Sequence, residues 1–331
     1  MRVFGHCLLG VCVTVGWVFA QAPPASPGQK LDPVKAEATL ADARKALGGD
    51  KLAAVKTVVL TGQTRKLQGN NLVPVEFEIN IELPDKYVRK DEIPAQENGP
   101  TSSGFNGADL IQLPVPGPPV PPPARPGGPP PPTPEQMQAQ QAAQRKTRVA
   151  TIKQDFVRLT LGMFAAAVPA APLTFGYVGQ AEAPQGRADV IDVKGDGTLA
   201  LRFFINNETH LPIMVSWQQP PASVAVRVPG FPPPANLAPG TVVIDAPPPP
   251  PDSASQADKD KYAKDVADLR RQAQAKTIES RLYYADYRDV EGRQWPFRLR
   301  RAIGPDTTEE TTVDRYRVNV KIDPKKFEAV K

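Results

Sequence analysis

Apolar and polar residues alternate without a break from Val73 to Leu83. Val73, Val75, Phe77, Ile79, Ile81 and Leu83 fall on one side, and Pro74, Glu76, Glu78, Asn80 and Glu82 on the other. A period of two predicts a strand with one buried face and one acidic face in water. The same period recurs from Gly186 to Trp217, where three strands follow one another. Ile191 and Val193 share a face of the first. Leu199, Leu201, Phe203 and Ile205 share one of the second, and Leu211, Ile213, Val215 and Trp217 one of the third. Gly195-Asp196-Gly197 and Asn206-Asn207 supply the turns, so this stretch reads as a β-meander. A second meander is predicted at the C-terminal end: Thr277 to Val290, Trp295 to Ile303 and Thr308 to Ile322, the last with Tyr316, Val318, Val320 and Ile322 on one face. Val55 to Thr64, Lys86 to Glu92, Leu110 to Gln112 and Leu173 to Gln180 read as shorter strands.

Three segments carry the helical period instead. Asp32-Pro33 places a capping carboxylate and a first-turn proline ahead of Ala36, Leu40, Ala43 and Leu47, and Gly48-Gly49 ends that helix. Thr133-Pro134-Glu135 opens a second helix, in which Val149, Ile152, Phe156, Leu159 and Met163 recur at three and four residues. It stops before Pro169 and Pro172. A third, capped by Ser255 or Ser253, lines up Tyr262, Val266, Leu269 and Ala273. Together these predict an α+β fold, mainly antiparallel β, with single-striped helices covering the apolar strand faces. A sandwich and an open half-barrel both satisfy that pattern.

Composition alters the picture in two ways. The 331 residues include 40 prolines, concentrated at Pro114 to Pro134 and Pro220 to Pro251. Such tracts favour extended polyproline conformation and exclude inner strands, so both read as insertions, with Val224 to Val228 and Thr241 to Ile244 as short edge strands. One domain is expected over residues 32–331, after a leader at 21–31. The formal charge of +5 is too weak an excess to argue for nucleic acid.

The first twenty residues have the order of a secretory signal: Arg2, a largely apolar run, and Ala20 at the cleavage position. Cleavage there would remove Cys7, Cys12 and His6. No thiol and one histidine, His210, would remain, which excludes disulfides, cysteine metal sites and histidine pairs within one chain. His210 reads as a turn residue. Gly195 to Ala200 fits a dinucleotide fingerprint, but strand alternation follows where a helix is required. Asp192, Asp196 and Gly197 imitate a calcium loop only in part, with Phe203 where its bidentate glutamate belongs. Glu76 and Glu78 sit on a solvent-facing strand side, so they make no catalytic pair. Arg288, Arg293, Arg298, Arg300, Arg301, Arg315 and Arg317 make the last meander basic, either as its solvated face or as a surface for anionic head groups.

The order of elements resembles the outer-membrane lipoprotein-sorting, or lipoprotein-localisation-factor-like, superfamily. The residues that carry the likeness are Gly48-Gly49, Lys51-Leu52, Leu83-Pro84-Asp85-Lys86-Tyr87, Phe105-Asn106-Gly107-Ala108, Thr209-His210-Leu211-Pro212, Tyr287 to Gly292 with Trp295-Pro296, Asn319, Ile322-Asp323 and Phe327. What the resemblance implies is an open, incomplete β-barrel with helices as a lid over an apolar concavity that holds acyl chains. No catalysis, cofactor or metal goes with it. The chain departs from that pattern in both proline insertions, and Arg65 is only a candidate for a lid-locking arginine.

On this reading Phe77, Ile79, Ile81, Leu201, Phe203, Ile213 and Val215 line a lipid cavity, and Val149, Ile152, Phe156, Leu159 and Met163 form its lid. The expected protein is a periplasmic monomer that carries lipid or lipoprotein acyl chains between inner and outer membrane, with transient contact to a membrane surface. The alternative is a non-catalytic envelope protein that uses its proline-rich loops for structural or interaction roles.

Overall fold

The computed structural model describes residues 31–328 apart from residues 70, 95, 97, 98, 116–132, 184, 185 and 232–236. The signal-peptide reading and most of the first proline tract lie outside the described residues.

One antiparallel sheet of 12 strands dominates. The first five strands are β1 (Thr57–Gln68), β2 (Asn71–Glu82), β3 (Lys86–Glu92), β4 (Thr101–Asn106) and β5 (Asp109–Leu113). The central meander region contributes β6 (Leu173–Ala183), β7 (Gly186–Gly195), β8 (Ala200–Asn206) and β9 (Pro212–Gln219). A separate ribbon, β10 (Ser223–Arg227) and β11 (Thr241–Asp245), precedes the C-terminal strands β12 (Ile278–Val290), β13 (Arg293–Ile303) and β14 (Asp306–Val318). The order across the sheet is β5-β4-β3-β2-β1-β14-β13-β12-β9-β8-β7-β6. Three meanders therefore lie side by side, and the first strand pairs with the last. The outer strands β5 and β6 do not pair with each other, so the sheet is an open half-barrel and not a closed one.

Helices α1 (Pro33–Leu47), α2 (Asp50–Ala53) and α3 (Pro134–Phe164) precede the central strands, and α4 (Gln256–Gln274) precedes β12. The local signals behave as their chemistry requires. Asp32 accepts from the Lys35 amide at 2.9 Å, and Thr133 and Gln136 form a reciprocal capping box at the start of α3. Ala36, Leu40, Ala43 and Leu47 of α1 are completely buried against β6, β13 and α3. No helix among the described residues is long and apolar enough to cross a membrane.

The inner face of the sheet, which carries α1 and α3, holds the main core, including Val58, Leu60, Phe77, Ile79, Ile81, Leu201, Phe203, Val215 and Trp295. The outer face has two smaller clusters. Val59, Val88 and Ile111 pack under Ile322 and Phe327 of the C-terminal turn, and Ala188, Val190, Phe204 and Ile213 pack at the other end.

Four expectations change. Ile213 belongs to the outer face, because the register skips a residue between Phe204, opposite Met214, and Ile205, opposite Pro212. The alternation through Tyr316, Val318, Val320 and Ile322 also breaks. Asn319 takes a left-handed φ of 55° and ties its side chain to the Lys56 amide and the Ala54 carbonyl, so Val320 and Ile322 cross to the outer cluster. β10 and β11 are not edge strands of the main sheet: they pair in parallel with each other and pack on α4. The stripe of α4 is consequently only half covered, with Ala273 buried and Tyr262, Val266 and Leu269 intermediate. Finally, α3 is not single-striped. From Phe156 to Phe164 every side chain is buried, so its last two turns fill the half-barrel where a narrow stripe would only cover it.

Candidate functional site

The inner face is not filled evenly. At the end of the sheet towards the β1–β2 and β13–β14 hairpins, a cavity of about 340 Å³ remains between α3 and strands β1 to β4 and β12 to β14. Its gradient comes directly from strand periodicity. On the inner side, β1 passes from Leu60 to Thr64 and Lys66, β3 from Tyr87 to Arg89 and Asp91, and β13 from Leu299 to Arg301. On β14 the sequence runs from Thr311 to Glu309. Pairing places Thr64 opposite Thr311, and Glu309 opposite both Lys66 and Arg301. The result is an apolar base of Leu60, Phe77, Ile79, Tyr87, Ile152, Leu159, Leu282 and Leu299, with charged groups collected at the mouth.

Those charges form two ion-paired groups. Asp91 accepts from Lys66 Nζ at 2.7 Å and from Arg89 Nε at 2.6 Å. Arg89 also donates to the Thr64 hydroxyl at 3.2 Å, which lies 2.9 Å from that of Thr311. Across the mouth, Asp155 of α3 binds Arg158 at 2.8 Å and Arg301 at 3.4 Å, and Arg301 stands 3.7 Å from Glu309. The Arg158 guanidinium lies 4.1 Å over the Trp217 ring.

Burial and charge oppose each other at these groups. Burial pushes the Asp91 carboxyl up, but Arg89 and Lys66 outweigh it and hold it below the usual aspartate range. Burial would lower Arg89, and Asp91 reverses that. At Arg158 burial wins over Asp155 and lowers the guanidinium. Burial carries the Tyr87 hydroxyl up to about 12. A carboxyl depressed in the folded state stabilises the protein above its ordinary pKa, and that contribution disappears as pH falls through the depressed value. Thermal melts of the wild-type and Asp91→Asn proteins should therefore differ most near neutral pH and converge as the medium is acidified below about pH 4. A gap that stays constant over that range would remove Asp91 from the acid response.

Helix α3 is anchored over the cavity from below. The hydroxyls of Tyr284 and Tyr287, on β12, donate to the carbonyls of Arg158 and Gly162, the second at 2.8 Å. Phe156 packs its ring 5.3 Å from both Tyr87 and Phe105.

Of the residues expected to line a cavity, Phe77 and Ile79 do so, together with Ile152 and Leu159 of the expected lid. Ile81, Leu201, Phe203 and Val215 are packed into the main core, and Ile213 lies on the other face of the sheet. Val149 is buried in the main core, and Phe156 and Met163 are completely so. Arg65 is exposed on strand β1 next to the inward-facing Thr64 and Lys66, whereas Arg301 of β13 reaches α3 by its pair with Asp155. The pattern gave no weight to Lys66, Arg89, Asp91 or Asp155, and it placed Arg301 only among the basic residues of the last meander, not at a cavity mouth. Their signal was parity: Arg89 and Asp91 follow Tyr87 at intervals of two, and Arg301 continues Trp295, Phe297 and Leu299.

No family model matches the sequence, and no curated protein matches it. Among solved structures the fold is similar to a LolA superfamily protein from Nitrosomonas europaea, with 10% identity, coverage of 88% of this chain and 97% of that one, and a TM-score of 0.43. It is also similar to an outer membrane lipoprotein-sorting protein domain from Vibrio parahaemolyticus, at 7% identity, 88% and 97% coverage and a TM-score of 0.40. A third similar structure is a DUF1329 family protein from Desulfovibrio piger, at 8% identity, 90% and 98% coverage and a TM-score of 0.39.

Proposed function

We propose that the protein binds an acyl chain of a lipid or lipoprotein in the cavity between α3 and the inner face of the sheet, and carries it through the periplasm without covalent chemistry. The observation that supports this reading most directly is the unfilled volume of about 340 Å³ over a base of eight apolar side chains. That volume falls at the small end of the roughly 300 to 1,000 Å³ usual for ligand sites. A single chain, or part of one, suits it. The carboxylates at its mouth are each held by basic partners, as in a positioned rim and unlike a proton-transfer pair. Residues 32–331 act in this reading as one lipid-binding domain, and the region before them directs export, with cleavage after Ala20.

Leu299 separates ligand space from packed core. It lines the cavity and is only partly buried, whereas Ile81, on the same inner face, is completely buried in the main cluster. Leu299→Trp should therefore lower binding of a fluorescent fatty acid at least tenfold while the melting temperature stays within a few degrees. Ile81→Trp should lose about 1 to 3 kcal/mol of stability by overpacking. Mass spectrometry of lipid extracted from protein recovered in a periplasmic fraction tests the same reading without substitution. Failure of the wild-type protein both to bind the fatty acid and to retain any lipid would overturn it.

A further inference from the structure

The end of the half-barrel at which the cavity opens is also where apolar side chains stand in water. Strand register carries that end across the sheet. Leu113 pairs with Ser102, Asp91 with Thr101 and Glu76 with Glu92; Lys66 pairs with both Val73 and Glu309, Ser280 with Ile303, and Ile278 with Gln219. Among the described residues seven large apolar side chains are exposed, and six of them, Leu72, Leu113, Val115, Phe231, Leu237 and Val243, belong to this end. Leu72 sits beside the turn of the β1–β2 hairpin, and Leu113 and Val115 at the outgoing end of β5. The other three are carried by β11 and the residues between β10 and β11, a ribbon that follows the end of β9. It is held to the same end at Gly240, where an added Cβ would stand 2.9 Å from Ile303. The seventh, Val34, is elsewhere: it opens α1 beside the middle of β6, where Asp32 bridges to Tyr177.

Single exposed apolar side chains are ordinary, but packing gives no reason for their collection at one end. Leu72, Leu113, Val115 and Phe231 are each more than half exposed. They project from separate points around the rim, with β5 and β12 seven strand spacings apart, roughly 34 Å along the sheet. Points spread that widely make no groove for one peptide or helix. A broad, yielding surface can touch them together, and from a bilayer an acyl chain would pass straight into the opening between them. Helix α3 brings charge to the same corner. Arg148 donates to the Gln112 side chain, next to Leu113, so Arg145 and Lys146 stand within one turn of that point. All three cations are exposed, and Glu135 is the one acidic residue of the helix before Asp155.

We propose that this end of the half-barrel docks on an anionic lipid bilayer. Leu72, Leu113, Val115 and Phe231 enter the interface, Arg145, Lys146 and Arg148 meet lipid phosphates, and the cavity opens directly onto the membrane. The docking face deepens the acyl-chain reading and rests on it.

The test is co-sedimentation of protein recovered from a periplasmic fraction with vesicles of phosphatidylcholine, with or without phosphatidylglycerol. Every variant carries the same N-terminus, so differences between variants belong to the substituted positions. Wild-type protein should bind the phosphatidylglycerol vesicles. Leu72→Ser combined with Phe231→Ser should weaken that binding about tenfold or more, because the apolar area entering the interface sets its strength. Val34→Ser removes an exposed apolar side chain away from this end and should leave binding unchanged. Arg145→Gln with Lys146→Gln should lower the preference for anionic over neutral vesicles about tenfold. All of these side chains are exposed, so melting temperatures and binding of a fluorescent fatty acid from solution should stay those of the wild type, while its transfer from vesicles to protein should slow as docking weakens. Vesicle binding that is unaffected by the Leu72→Ser, Phe231→Ser pair, or lost equally in Val34→Ser, would overturn the assignment of the face. A wild-type protein that takes up the fatty acid from solution but binds no vesicles would overturn docking and leave the acyl-chain reading intact. Self-association of the wild type that the same pair of substitutions abolishes, without vesicle binding, would give the face to a second copy of the chain and overturn the membrane.

Discussion

Alanine at Gly162 is expected to cost the protein several kcal/mol of stability and to lower its melting temperature by roughly 5 to 10 °C. A helix-interior glycine replaced by alanine ordinarily gains up to about 1 kcal/mol from backbone entropy alone. Here packing decides the sign. A Cβ at Gly162 would stand 2.4 Å from two atoms of the Tyr284 ring and 2.8 Å from a third. Tyr284 is 1% exposed and its hydroxyl is bonded to the Arg158 carbonyl, so the ring has nowhere to go without breaking that bond. Overpacking costs about 1 to 3 kcal/mol where neighbours can yield, and these cannot readily do so. Each kcal/mol corresponds to about 2 to 4 °C in a chain of this size class. Tyr284→Ala in the same background should recover part of the loss, giving a double variant less damaged than the sum of its singles. A melting temperature that rises in the Gly162→Ala protein would show that α3 is seated less closely than the structure has it.

The seating of α3 also explains which features the sequence revealed. Strand alternation and turn chemistry are local, and they located the meanders, the capping residues Asp32 and Thr133, and the antiparallel class of the sheet. Alternation does not record what stands opposite a face. Phe77, Ile79, Ile81, Leu201 and Phe203 look equivalent in the pattern, yet of these only the first two line the cavity, whereas the others are packed into the main core that also holds Phe156, Leu161 and Met163. The burial of Phe156 to Phe164 on all sides was itself readable: Val157, Leu161 and Phe164 lie off the stripe of Phe156, Leu159 and Met163. Register slips were not readable. The skipped residue that turns Ile213 outward is set by how the β8–β9 hairpin closes, and the left-handed Asn319 that turns Val320 outward is held by Lys56 and Ala54, far away in sequence. The ion pairs at the mouth were missed for a related reason. Lys66, Arg89, Asp155 and Arg301 come from four elements, and only the placement of β14 between β1 and β13 brings them together.

Phe156→Ala should give the second large effect, and it acts on the cavity as well as on stability. Phe156 is completely buried, with its ring 5.3 Å from Tyr87 and 5.3 Å from Phe105, and Tyr87 forms part of the cavity wall. Truncation of a buried phenylalanine costs about 3 to 5 kcal/mol, part of it lost transfer energy and part the void that stays open. That void would adjoin the existing 340 Å³ and lengthen the space available to a chain. The variant should therefore melt well below the wild type when empty and should prefer a longer fatty acid. A longer chain occupying the void would restore stability by mass action, about 2.7 kcal/mol at one hundred times its dissociation constant. Denaturant unfolding with and without fatty acids of 8 to 16 carbons, probes chosen to span roughly the size of such a site, reads both effects in one series. If stability falls as expected while the preferred chain length stays that of the wild type, the ligand does not reach Phe156 and the chain must run along Leu282 and Leu299 instead.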